Sequence, residues 1–251
     1  MIRPKFEQAW NWKTTSCPKF EEIRRVILFL IATNGPVYKR RIENSAKPKI
    51  DHPRINKAVK QLLRDKLIKI HHRENGGMIK YYVLTRAGLM ALILAISNSG
   101  YPYGVLAKKH HELLPEIFEF WRKFVQAGVE DIASKKLVGY CAIALEEERR
   151  EQTVGKVRVE KRHLLDEFFL GPFPDDDLKP GSIANRERWL KALLGDRTLC
   201  GAAIEACRSR VASFSKDAEE FSRLLEARGN EYAIARFREG LRILNASFSG
   251  V

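Results

Sequence analysis

Residues 51–88 read DHPRINKAVKQLLRDKLIKIHHRENGGMIKYYVLTRAG, and within this stretch the spacing of apolar residues changes from helical to strand-like and back. From residue 52 to residue 66 the apolar positions recur at helical spacing, which predicts a helix with Pro53 at its first position. Residues 67–73 and 78–84 instead predict two strands. The letters ENGG between them predict a tight hairpin turn, because glycine accepts a positive φ. Thr85 is the expected N-cap of a further helix that runs to about residue 97.

Two more helices are predicted upstream of this stretch. Residues 18–34 carry apolar side chains at helical spacing, and Gly35-Pro36 ends that helix. Residues 37–44 are interpreted as a short basic helix, and residues 45–51 as a turn, because a proline disfavours helix at the residue before it. The order is therefore three helices, a two-stranded β-hairpin and a closing helix.

This order resembles the winged helix-turn-helix of transcription regulators of the MarR, PadR and ArsR type. The resemblance covers about residues 18–99. It rests on residues 56–70, on the ENGG turn, on Lys80-Tyr81-Tyr82 and on residues 84–88, LTRAG, which match the LTxxG exit from the wing in those families. Lys66 departs from the pattern, since it stands where the families have a glycine in the left-handed conformation. We therefore expect the third helix to end differently in this chain.

The remainder of the chain is predicted to be helical, so the expected fold class is mainly α: a winged helix-turn-helix followed by an all-helical C-terminal domain at residues 116–251. Residues 100–115 are interpreted as a connector. Apolar residues between 200 and 248 alternate steps of four and three, which favours long helices packed at a shallow angle, most simply an antiparallel hairpin and alternatively a dimeric coiled coil. Individual helices are expected at 116–127, 129–151, 158–170 and from 185 onward, broken near Gly195 and Gly229. Residues 158–161 could instead form a short strand, because residues 154–159 alternate apolar and polar.

Basic charge is concentrated in the N-terminal part of the chain. The formal net charge is +14; residues 1–100 contain 20 Lys and Arg against 7 Asp and Glu, whereas residues 101–251 contain 25 against 24. Such segregation indicates an anionic partner for the N-terminal part, nucleic acid before a membrane surface. The nearly neutral C-terminal part fits dimerisation or contact with a protein partner better.

The first 17 residues, the length of the apolar runs and the cysteines bear on the partner and the location of the protein. Residues 1–17 contain Trp10 and Trp12 among basic residues, and are interpreted either as an arm along DNA or as a packing segment, with packing favoured. No apolar run is long enough to span a bilayer, so no membrane partner is expected. Four scattered cysteines do not form a disulfide framework, which predicts a cytoplasmic location.

The third helix, about residues 52–66, is the element expected to enter the major groove of double-stranded DNA, with the wing at 68–84 on the backbone or minor groove. On a helical wheel its apolar residues Ile55, Val59, Leu62 and Leu63 gather on one side, and the opposite side is basic. The candidate base-reading residues are Arg54, Asn56, Lys57 and Gln61. The candidate phosphate contacts are Lys60, Arg64, Lys39, Arg40 and Arg41, and the wing adds Arg73, Asn75 and Lys80.

No residue pattern indicates catalysis, a metal site or a cofactor. The histidine pairs at 71–72 and 110–111 have no cysteine nearby, and adjacent residues on a strand are expected to face opposite sides. Cys200 and Cys207 are expected to pack in the core as small apolar residues. The acidic runs at 146–148 and 175–177 are interpreted as solvated.

The sequence thus predicts a double-stranded DNA-binding protein that is not an enzyme, most simply a transcription regulator. The resembled families commonly dimerise, which implies a homodimer on two half-sites. Three alternatives remain open. They are a non-specific architectural or replication-associated DNA-binding protein, a nucleic-acid enzyme that uses the acidic runs, and a winged helix that serves only to bind protein.

Overall fold

The computed structural model describes residues 20–46, 50–97, 99, 101, 103–154, 161–171 and 180–210. Across these ranges the protein is mainly helical, with a three-stranded antiparallel sheet in its N-terminal part. None of the helices described is long and apolar enough to cross a membrane. The expectations for residues 1–17, for the acidic run at 175–177 and for the apolar stripe beyond residue 210 concern residues outside these ranges, and so do residues 158–160 of the alternative strand at 158–161.

The N-terminal elements follow one another closely along the chain. They are α1 (Phe20–Asn34), β1 (Val37–Tyr38), α2 (Lys39–Ser45), α3 (His52–Arg64), β2 (Ile68–Glu74), a 3-10 turn (Asn75–Gly77), β3 (Ile79–Leu84) and α4 (Arg86–Ile96). The later elements are α5 (Tyr103–Lys109), a 3-10 turn (His111–Leu113), α6 (Pro115–Gln126), α7 (Glu130–Val154), α8 (Lys161–Leu170) and α9 (Pro180–Gly195). Residues 197–210 are helical again.

The prediction that residues 37–44 are all helical was wrong at their first two positions. Val37 and Tyr38 form β1, which pairs antiparallel with β3 in the register Val37 to Tyr82 and Tyr38 to Tyr81. The sheet order is therefore β1-β3-β2, so the predicted two-stranded hairpin gains a third strand. A buried β-branched residue followed by an aromatic one suits a pleated surface, and pairing with a distant strand overrides the local helical pattern.

The expectation that α3 would end differently because of Lys66 was also wrong. The helix stops at Arg64, two residues before the predicted end, and Lys66 takes the left-handed φ of 56° that glycine usually supplies. The Lys66 N–H donates to the Leu63 carbonyl at 3.1 Å and the Leu67 N–H to the Leu62 carbonyl at 2.9 Å. These two bonds form a Schellman cap, and the buried side chains of Leu67 and Leu62 provide its apolar contact.

Thr85 caps α4 as predicted, and it also joins that helix to the end of α3. Its hydroxyl accepts from the Gly88 N–H at 3.1 Å and donates to the Lys66 carbonyl at 2.6 Å, while its own N–H donates to the Leu67 carbonyl at 3.1 Å. Gly88 is needed because a Cβ there would lie 1.8 Å from the Leu67 oxygen. The LTRAG segment is thus the point at which α4 lies directly against the chain that enters β2.

The apolar core continues from the N-terminal elements into the C-terminal helices. Residues 100–115, interpreted as a connector, contain α5, which buries Leu106 and Ala107. The end of α5 and the residue after it satisfy the end of α1, because Lys109 donates to the Thr33 carbonyl and His110 Nε2 contacts the Ala32 carbonyl at 2.9 Å. Helix α4 contacts α1 on one side and α7 on the other.

Aromatic residues fill the core of the C-terminal part. The rings of Phe124 on α6 and Trp189 on α9 stack at 3.7 Å, and Phe168 on α8 meets both rings at 5.9 Å. Lys136 is buried beside this cluster, with its ammonium 5.8 Å from the centre of a Trp189 ring and donating to the Gly171 carbonyl. A buried cation that donates to a carbonyl in this way ties α7 to the end of α8.

The predicted helix break near Gly195 is confirmed, and Asp196 provides the cap that causes it. Its carboxylate accepts from the N–H groups of Thr198 at 2.8 Å and Leu199 at 3.0 Å, so a new helix begins there. In residues 197–210 the buried face consists of Leu199, Ala203 and Ala206. Cys200 and Cys207, expected in the core, are only half-buried, because the packing face of the helix lies one position earlier than the predicted stripe.

Candidate nucleic-acid interface

Helix α3 presents opposite faces to the core and to solvent. Its buried residues are Ile55, Ala58, Val59 and Leu62, and they pack against α1. Leu63, predicted to lie on the core face, is only partly buried, and Ala58 takes the central position instead. Pro53 stands at the start of the helix, where a missing N–H removes no helical hydrogen bond.

The basic residues expected on the far side of α3 are exposed. Lys57, Lys60 and Arg64 all lie in solvent, as the helical wheel predicts. The Lys57 ammonium lies 5.4 Å from the centre of the Phe20 ring, so this side chain extends along the start of α1. The outer face of α3 is therefore cationic from its first turn to its last.

Lysines from three separate elements meet beside α3. Burial, followed by the positive charges of Lys80 and Lys60, lowers the pKa of Lys39, and the negative charge of Glu43 offsets this only in part. Lys39 begins α2, Lys60 lies in the middle of α3 and Lys80 lies on β3. We call these three residues the lysine cluster. Like charges held together in this way repel one another, and an anion between them would relieve the repulsion.

Arginines from α2 extend the cationic surface. Arg40 and Arg41 are both exposed, and the charge of Arg41 acts on the Tyr81 hydroxyl across the sheet. The hydrogen bond from that hydroxyl to Glu74 is the larger influence and raises the pKa of Tyr81. The second-helix trio predicted to contact phosphates, Lys39, Arg40 and Arg41, thus lies next to the sheet and to α3.

The base-reading candidates differ in how available their polar groups are. Gln61 donates from Nε2 to the Asp65 carboxylate at 3.1 Å and accepts from Arg64 through Oε1, so both ends of its amide are engaged. Asp65 also accepts from Arg24 of α1 at 2.6 Å. Arg54 is 33% exposed at the start of α3, 3.9 Å from Asp51. Asn56 is half-buried on the flank of the helix.

The hairpin of β2 and β3 carries the remaining predicted contacts. Arg73 and Lys80 face each other across the two strands, and both are exposed. Asn75 begins the turn with a φ of 50°, and Gly76 and Gly77 follow with positive φ, as the ENGG pattern predicts. The arginine and the lysine therefore lie on the two strands that lead into and out of the turn.

Sequence reasoning missed two features of this hairpin. Met78 is 89% exposed directly after the turn, although the sequence pattern predicts that it begins the second strand of the hairpin. The ring of Tyr81 stacks on His72 at 4.1 Å and meets Tyr38 edge-on at 5.4 Å, which stiffens the sheet surface. The aromatic letters at 81–82 gave a signal for the second feature, but pairing with Tyr38 depends on the unexpected β1.

The expectation that His71 and His72 face opposite ways was wrong. The register of β2 against β3 shifts between Ile70 and His72, and this irregularity brings the two imidazole rings to 5.1 Å. Within the described ranges no group of three or more His, Cys, Asp or Glu residues is arranged to hold a metal ion. In the acidic run at 146–148, Glu148 contacts Arg86 at 3.5 Å.

Comparison of the chain with protein-family models, with curated proteins and with solved structures gave no significant match.

Proposed function

We propose that residues 20–97 form a winged helix-turn-helix that binds double-stranded DNA, with α3 in the major groove and the β2-β3 hairpin as the wing. The observation that carries the proposal is the lysine cluster, in which the exposed Lys60 of α3 and Lys80 of β3 lie near enough to the half-buried Lys39 of α2 for their charges to act on it. Mutual repulsion of this kind is unfavourable in the free protein. The same arrangement of lysines becomes favourable when phosphates lie between the charges, as they do along a duplex.

The arrangement of elements supports the same proposal. Helix α3 follows α2 closely and offers a cationic outer face, and the turn after β2 places two glycines of positive φ beyond Arg73 and Lys80. The order of α1, α2, α3, hairpin and α4 is also that of the winged-helix families that the sequence resembles. We propose further that the protein is a cytoplasmic transcription regulator and that its C-terminal helices form the dimer.

The salt dependence of DNA binding tests the electrostatic part of this proposal. Neutralisation of about 6–8 phosphates predicts that log affinity falls with log salt at a slope of about −0.9 per phosphate. The variant K60Q/K80Q removes two of the three charges in the lysine cluster, and we expect it to make the slope shallower by about 1.8. The matched control K108Q/K191Q removes the same charge from exposed positions on α5 and α9.

Fluorescence anisotropy of a labelled duplex against the full chain, at four or more salt concentrations, gives both slopes. The control variant should keep the slope of the unsubstituted protein within about 0.5, less than the contribution of one phosphate. Equal slopes for the two double variants would contradict the placement of the interface at the lysine cluster. A salt-independent affinity, or no binding at all, would contradict DNA binding.

A second candidate function is non-specific architectural binding, and the state of Gln61 favours it. Its amide is already bonded to Asp65 and Arg64, so a two-bond contact with adenine requires those bonds to break. Selection of sites from a random duplex library at near-physiological salt separates the two functions. An enriched palindromic motif supports a dimeric regulator, whereas retained binding without enrichment supports the architectural function.

A further inference from the structure

Met78 occupies an unusual position for an apolar side chain. At 89% exposure it is the most exposed large hydrophobic residue in the part of the chain that the structure describes, ahead of Leu194 at 71%. It follows the turn Asn75–Gly77 immediately and precedes β3, so it stands at the tip of the hairpin. A single exposed apolar side chain is common on protein surfaces, so what sets Met78 apart is its place at the end of a projecting element, where a partner that receives the tip would cover it.

The tip that carries Met78 is held in shape by the chain around it. Its N–H donates to the Asn75 carbonyl at 3.3 Å, which closes the turn. Below the turn, Tyr81 donates its hydroxyl to Glu74 at 3.0 Å and stacks on His72. Little conformational freedom therefore remains to be lost when the tip is inserted into a partner.

The charge around the tip identifies the chemistry of that partner. Arg73 and Lys80 form an exposed cationic pair on the two strands, and Lys80 also belongs to the lysine cluster. An apolar tip flanked by cations fits a polyanion with an apolar interior, which is what stacked base pairs between two phosphate chains provide. Proteins that bind the minor groove insert apolar side chains such as methionine between base steps in this way.

We propose that Met78 is an apolar wedge that enters the minor groove of the bound duplex, partly unstacks one base step and kinks the DNA. The inference rests on the proposed DNA binding. It adds that the wing inserts a side chain between base pairs and does not only contact phosphates. Two successive glycines add no side chain beside Met78 at the tip, which favours entry into a groove about 6 Å wide. The cationic pair then lies over the two phosphate chains that border the groove.

Ligase-catalysed circularisation of a short duplex tests the wedge without knowledge of a preferred sequence. A duplex of about 120 bp is shorter than the persistence length of about 150 bp and closes poorly unless it is kinked. We expect the full-length protein to raise the yield of monomeric circles. The variant M78Q keeps the length of the side chain but makes it polar, and we expect it to lower the circularisation rate about tenfold at equal occupancy of the DNA.

The control variant is L194Q, which makes the same apolar-to-polar change at another highly exposed position, on α9. It should circularise DNA as the unsubstituted protein does. Anisotropy measured in parallel gives the protein concentrations at which the DNA is equally occupied. It also distinguishes failure of the wedge from failure of DNA binding. Tight binding without circularisation, or equal rates for M78Q and the unsubstituted protein, overturns the wedge alone. Absence of binding by the unsubstituted protein overturns the wedge together with the proposed function.

Discussion

Replacement of Gly88 by alanine should destabilise the protein severely, although glycine-to-alanine changes inside helices usually stabilise. A Cβ at position 88 would lie 1.8 Å from the Leu67 oxygen and 2.8 Å from its carbonyl carbon, whereas side-chain Cβ atoms essentially never approach within 3.0 Å. Both atoms belong to backbone, so no rotamer change relieves the clash. Helix α4 and the start of β2 must move apart by more than about 1 Å.

The size of the effect follows from what that movement breaks. Thr85 donates two hydrogen bonds to the chain that enters β2, from its N–H to the Leu67 carbonyl at 3.1 Å and from its hydroxyl to the Lys66 carbonyl at 2.6 Å. Their loss amounts to about 2 kcal/mol, at about 1 kcal/mol for each bond. Overpacking of a buried contact adds about 1–3 kcal/mol, and the better helix propensity of alanine returns about 1 kcal/mol. We expect G88A to lower the free energy of unfolding by about 3 kcal/mol.

Urea unfolding followed by circular dichroism at 222 nm measures this change in the full-length protein. With an m-value of about 2–3 kcal/mol/M, the midpoint should fall by about 1 M or more. The matched control is G201A, because Gly201 is an exposed helical glycine whose added Cβ meets nothing within 4 Å. That variant should gain up to about 1 kcal/mol. A G88A protein as stable as the unsubstituted one, beside a stabilised G201A, would refute the close approach of α4 to β2.

Three smaller predictions come from single residues. K66G should stabilise the protein by about 1 kcal/mol in the same urea assay, because glycine accepts the left-handed φ without the strain that lysine bears there; an unchanged midpoint would contradict the cap geometry. Because burial and the neighbouring lysines lower the pKa of Lys39, phosphate should raise it, so DNA binding should take up protons at alkaline pH and weaken as the pH rises. Calorimetry in two buffers of different ionisation enthalpy measures that uptake, and its absence, or an equal uptake by K39Q, would contradict contact with Lys39. Burial raises the pKa of the Cys141 thiol, so iodoacetamide should modify Cys200 and Cys207 well before Cys141 in the native protein, as read by mass spectrometry.

Local periodicity and capping chemistry predicted most of the N-terminal elements. The apolar spacing of α3, Pro53 at its start and Thr85 as the cap of α4 are signals carried by neighbouring residues, and the structure agrees with each. The same holds for the ENGG turn, where positive φ is a property of the residues themselves. These features required no knowledge of the rest of the chain.

The features that were missed depend on contacts between distant parts of the chain. Val37 and Tyr38 are strand only because β3, more than 40 residues later, is available to pair with them. Lys66 adopts a conformation that lysine disfavours because Leu67 is buried and bonded to Thr85. Gln61 is engaged through a network that reaches Arg24 on α1. No local pattern encodes such contacts. The apolar spacing of α3 therefore predicts which of its faces is exposed, but it does not predict that the Gln61 amide is already hydrogen-bonded.

The continuous core bears on how the proposed dimer would recognise DNA. Helix α4 buries residues on several sides, since it packs against α1 and also against α7. Arg86 at its start donates to the Tyr140 hydroxyl at 3.0 Å and contacts Glu148 at 3.5 Å, and both partners lie on α7. The surface of α3 therefore cannot turn relative to α7 without opening packed core. If the C-terminal helices form the dimer, this rigid contact sets the separation of the two α3 helices, so the spacing of half-sites follows from the packing of α4 on α7 and not from a flexible linker.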